Sequence, residues 1–85
     1  MIKLLIAEDE LLSLEDLENL SWNSVGIDAV FTAENGAEAY DLALIEKPEI
    51  ILTDIQMPKM GGLELSEKLS SMLPETKFIF LTAHD

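Results

Sequence analysis

The chain has 85 residues, enough for one small domain spanning residues 1–85. Five lysines, no arginine and seventeen acidic residues give a net charge of −12. That charge argues against direct contact with nucleic acid or with an anionic membrane surface, since both need a basic patch. Hydrophobic residues make up 48% of the chain, too many for a disordered acidic tail, and the lack of cysteine excludes disulfides, thiol catalysis and thiolate metal sites.

The opening apolar run, residues 1–7, is broken at once by Glu8-Asp9-Glu10. It is too short for a signal peptide or a membrane span, so a soluble, cytoplasmic domain is expected. Lys3-Leu4-Leu5-Ile6-Ala7 reads as a strand buried on both faces. Leu11, Leu14, Leu17 and Leu20 recur every three residues among acids and predict an amphipathic helix. Residues 24–26 read as a turn and residues 27–33 as a second strand. Asn35-Gly36 opens a second helix with Ala37, Tyr40 and Leu44 on one face, stopped by Pro48. Ile50-Ile51-Leu52-Thr53 is a third strand ending at Asp54. A loop with Met57, Pro58, Lys59 and Gly61-Gly62 leads to a third helix carrying Leu65, Leu69 and Met72, stopped by Pro74. Phe78-Ile79-Phe80-Leu81 is a fourth strand ending at Thr82. Alternation of this kind predicts an α/β fold, a parallel sheet with helical crossovers.

In such sheets ligands bind beyond the carboxyl ends of the strands, where the strand order reverses. Here those ends carry Glu8-Asp9, Asp54 and Thr82. Three carboxylates held together repel one another, and a hard cation relieves that repulsion. Oxygen-only ligands select Mg²⁺ or Mn²⁺ over zinc. A carboxylate beside a divalent ion is also a competent nucleophile toward phosphorus. The competing reading is structural. Acids after a strand often only cap the next helix, and that is the reading taken for Glu10. Lys59 and His84 are read as solvated, and Trp22 as a packing anchor.

At these residues the sequence resembles the receiver domain of bacterial two-component response regulators. Residues 3–10, 33–39, 52–62 and 81–83 look like the family's first strand with its acids, its second-helix entry, its phosphoacceptor strand and loop, and its switch-threonine strand end. The resemblance implies a doubly wound, flavodoxin-like sheet of strand order 2-1-3-4 in three α/β/α layers. It further implies that Asp54 accepts a phosphoryl group from a sensor histidine kinase, and that Glu8, Asp9, Asp54 and the backbone carbonyl of Gln56 bind Mg²⁺. Thr82 is then the switch residue, and the Ala83 amide helps hold the phosphoryl group. Residues 20–27 look like receivers that precede an AraC-type DNA-binding domain, so a parent transcriptional regulator is implied while this chain itself leaves DNA alone.

The family has five βα units, and this chain is expected to be a receiver truncated after the fourth strand. The expected truncation removes the strand-five lysine, so weak phosphorylation is expected, together with self-association through uncovered apolar surface. A phosphohydrolase with an Asp nucleophile and a non-phosphorylatable interaction module are the competing functions. A haloacid-dehalogenase-type enzyme wants a second Asp two residues after its nucleophile at the end of strand one, which Glu8-Asp9-Glu10 does not supply. The chain is expected not to be an enzyme.

Overall fold

A computed structural model of the chain describes residues 1–82. Its elements run β1 (Lys3–Ala7), α1 (Leu11–Glu18), a 3-10 turn (Trp22–Val25), β2 (Ala29–Ala33), α2 (Gly36–Glu46), β3 (Ile50–Asp54), α3 (Gly62–Leu69) and β4 (Lys77–Leu81). The strands form one parallel sheet in the order β2-β1-β3-β4. This is the expected order. The reversal falls at β1, which has β2 on one side and β3 on the other.

Strand alternation sends successive side chains to opposite faces. Leu5 and Ala7 of β1, Ile51 of β3 and Ala33 of β2 join Ala39 and Ala43 of α2 and Leu65 and Leu69 of α3 in one cluster. Leu4, Ile6 and Leu52 pack on the other face with Leu14 of α1 and Ile27. Helices therefore cover both faces, and the central strands are buried because no face of them meets water. Each fully buried Leu or Ile contributes about 1.5–3 kcal/mol of hydrophobic stabilisation.

Several sequence expectations shift in the structure. Leu11 and Leu20 are exposed, at 56% and 55%, and Leu20 lies beyond the end of α1. Leu14 is buried, and Leu17 packs against it with Trp22, whose indole Nε1 donates to the Leu17 carbonyl at 2.7 Å. In α2 the deeply buried seam is Gly36, Ala39 and Ala43, while Ala37, Tyr40 and Leu44 flank it half-buried. β2 begins at Ala29, two residues later than expected, because the 3-10 turn runs to Gly26 in a left-handed cap (φ 94°). Met72 lies past α3 and is 51% exposed, and Leu73 packs on the core instead.

Candidate functional site

Register brings the acids together. Ala7 of β1 pairs with Thr53 of β3, so Glu8 and Asp54, one residue further along each strand, end up side by side. Asp54 in turn pairs with Leu81, which sets Thr82 at the neighbouring strand end. The Glu8 amide donates to the Ala33 carbonyl at 3.1 Å, so Glu8 continues the β1–β2 ladder and is only 8% exposed. One carboxylate oxygen from each of Glu8, Asp9 and Asp54 lies within 4.8 Å of the others. A cleft of about 300 Å³ beside Asp54 is lined by Asp54, Ile55, Gln56, Leu81 and Thr82.

The electrostatics of this cluster are unfavourable without a cation. Burial pushes the Glu8 carboxyl above its ordinary value, and the charges of Asp54 and Asp9 push it the same way. A hydrogen bond from the Glu10 amide to Glu8 Oε2, at 3.1 Å, pulls against them. The three acids offer only hard oxygen ligands, the donor set that suits Mg²⁺ or Mn²⁺. The residues therefore fit a hard divalent ion.

Glu10 has the other role. It is the N-cap of α1, and its Oε1 accepts from the Ser13 amide at 2.7 Å, which holds its carboxyl below the ordinary value. The loop after Asp54 is built on close backbone packing. The Gly62 amide donates to the Ile55 carbonyl at 2.8 Å, and Thr53 Oγ1 donates to the Asp54 carbonyl at 3.0 Å. Lys59 is exposed and takes a left-handed backbone (φ 72°). Thr82 is exposed at the rim of the cleft. Ala83 and His84 lie outside the described residues.

Sequence reasoning found the acids and Thr82 but passed over two residues that shape the site. Thr53 interrupts the apolar run of β3 and is fully buried beneath the loop. Gly36 underlies the same loop from α2. The hydroxyl inside an apolar strand was a readable signal for Thr53. Gly36 gave none beyond its helix-opening position.

Comparison with known proteins supplies the rest. YesN, an uncharacterised transcriptional regulatory protein of Bacillus subtilis, is 40% identical over 83 residues, covering 96% of this chain and 23% of that protein. The chain spans 23% to 37% of the length of the curated relatives it matches. A two-component transcriptional regulator AraC from Clostridium phytofermentans superposes with a TM-score of 0.91 at 30% identity, over all of this chain and 67% of that one. The response regulator protein TrrA of Thermotoga maritima, solved in complex with Mg²⁺-BeF, gives 0.86 at 30% identity, over all of this chain and 72% of that one. The family described as the response regulator receiver domain matches residues 4–85. With all but the first three residues inside that match and the strand order agreeing, this chain belongs to the response regulator receiver domain family.

Proposed function

We propose that this chain is the phosphoacceptor part of a two-component regulator, with Asp54 as the residue that takes the phosphoryl group. The observation that carries the reading is the meeting of Glu8, Asp9 and Asp54 within 4.8 Å at the carboxyl ends of β1 and β3. Glu8, Asp9, Asp54 and the backbone carbonyl of Gln56 would hold Mg²⁺ or Mn²⁺. Such an ion supplies charge neutralisation for phosphoryl oxygens that the acids alone would repel. The Mg²⁺-BeF complex of TrrA supports this ligand chemistry by likeness.

Asp54 attacks the phosphorus of a phosphohistidine on the donor kinase through one carboxylate oxygen. The new O–P bond forms as the P–N bond breaks, and the imidazole leaves with the bonding pair and takes a proton from solvent. Thr82, at the rim of the cleft, then turns toward the phosphoryl group as a switch, and the Ala83 amide donates to it. The chain is thus a switch and not an enzyme. It acts in the cytoplasm, in a transcriptional regulator whose DNA contacts lie in another domain. No helix among the described residues is long and apolar enough to cross a membrane.

The test is phosphotransfer from a sensor kinase or acetyl phosphate with Mg²⁺, read by intact mass. A single phosphoryl adduct in low yield, which does not form in chelator and is absent in Asp54→Asn, is expected. An adduct of equal yield in Asp54→Asn removes Asp54 from the role.

A further inference from the structure

We propose that Gly36, on α2, is a positioning residue for the acidic cleft. Its missing side chain lets the β3–α3 loop rest on the start of α2, and that contact sets where the backbone of Gln56 sits. The inference rests on the metal-binding reading above.

A Cβ built on Gly36 would lie 2.5 Å from Met60 Cβ and 2.6 Å from the Met60 carbonyl carbon, and closer still to the Met60 carbonyl oxygen. Real Cβ atoms keep at least 3.0 Å from such neighbours. Two of the three atoms belong to the backbone, so no change of rotamer removes the clash. Gly36 has an ordinary backbone conformation, since Gly26 is the glycine with positive φ among the described residues. Space, not conformational freedom, is what glycine provides here.

The loop is gripped at its far end too. A Cβ on Gly61 would meet the Ile55 carbonyl oxygen at 2.5 Å, and one on Gly62 would collide with the Asp54 carbonyl oxygen. Those two glycines close the loop on itself and leave its position over α2 open. Gly36, from a different element, fixes that position. Asn35 holds Gly36 in place as the N-cap of α2, with Oδ1 accepting from the Glu38 amide at 2.8 Å. Met60 and Met57 pack onto the core beneath α2 and α3. An added methyl at Gly36 must therefore push the loop away until all three contacts reopen to at least 3.0 Å. Mg²⁺ demands near-ideal octahedral geometry, so a carbonyl ligand moved that far is a poor one.

The experiment is NMR on the 85-residue chain, with and without Mg²⁺, for wild type, Gly36→Ala, Ala39→Gly and Asp54→Asn. Ala39 is fully buried in the same helix and makes the control for loss of helix stability. In metal-free Gly36→Ala the amides of Gln56 and Met60 shift, and Mg²⁺ affinity falls about 10-fold or more, the range of lost supporting contacts around a metal. Ala39→Gly leaves the loop amides and the Mg²⁺ affinity as in wild type. Gly36→Ala with unmoved loop amides and wild-type affinity overturns the inference, as does an equal loss in Ala39→Gly. If wild type binds no Mg²⁺, or Asp54→Asn binds it equally, the metal reading fails, while the metal-free loop shifts still decide the role of Gly36. Should Gly36→Ala fail to fold, Met60→Gly tests the contact from the loop side. Hydrogen exchange then speeds up at the amides of residues 56–61 and Mg²⁺ binding weakens. Unchanged exchange and affinity overturn the inference.

Discussion

Glu8 is the most constrained ionisable group of the cleft. Its carboxyl is raised first by burial and then by the charges of Asp54 and Asp9. A raised carboxyl binds a proton more tightly in the folded than in the unfolded chain. Its contribution to stability is therefore present below about pH 4.5, the unfolded value, and is lost as pH rises through the folded one. Urea unfolding of the metal-free protein across pH should show a steeper decline above pH 4.5 in wild type than in Glu8→Gln. Identical slopes would mean that Glu8 carries no folding penalty. Saturating Mg²⁺ should erase the difference, because the ion favours the ionised form. Asp54→Asn should relieve the same repulsion. Thermal unfolding in chelator should show it more stable than wild type, while its Mg²⁺ affinity falls by about tenfold or more, since a contact to a charged group is worth about 1.5–3 kcal/mol.

Secondary structure was legible where burial and pattern agree. The central strands β1 and β3 stood out as apolar runs because both their faces are covered, and Glu8, Asp54 and Thr82 drew notice because strand ends in a parallel sheet converge. The helix α1 stands where it was expected, and only its buried face was misread, for a geometric reason. A helix turns about 100° per residue, so a spacing of three lags about 60° at each step, and α1 ends at Glu18, before Leu20. A leucine every third residue therefore winds off the core, and only Leu14 and Leu17 stay on it. Gly36 was illegible as a loop support because its neighbour, Met60, is distant in sequence and meets it only in the fold. Glu10 followed a local rule and was read correctly as a cap. Glu10→Ala should fray the first turn of α1, with faster hydrogen exchange at the Ser13 amide. Because hydrogen bonding lowers the Glu10 carboxyl, its support should be present above about pH 4.5 and fade as pH falls through the lowered value. In α3, Leu65 is fully buried against the β1–β3 face. Leu65→Ala should cost about 2–5 kcal/mol by chemical denaturation. A loss under about 1 kcal/mol would show that the site collapses around the deletion.

Across the molecule, covered and bare surface are unevenly shared. β4 pairs with β3 alone among the described residues, which leaves its other edge open. Phe78 and Phe80 stack on one face, with ring centroids 6.2 Å apart. On the opposite face Ile79 is 52% exposed, because α1 lies over β1 and β2 and, of β4, Leu81 is the residue that packs with that cluster. An open strand edge beside exposed apolar side chains favours pairing with another chain. The net charge of −12 opposes that pairing. At an ionic strength of about 0.01 M the Debye length is about 30 Å, comparable to the longest dimension of the protein, 33 Å. At about 0.15 M it falls to about 8 Å, so repulsion between two approaching copies is largely screened. Sedimentation of the 85-residue chain should therefore give monomers at low salt and association that strengthens as salt rises. Ile79→Lys places a charge in the middle of the bare face and should hold the protein monomeric across the whole series. A wild-type chain that stays monomeric and cooperatively folded at high salt and high concentration would sink this expectation. It would place the balance with the acidic surface, whose charge would then outweigh the open edge even when screened.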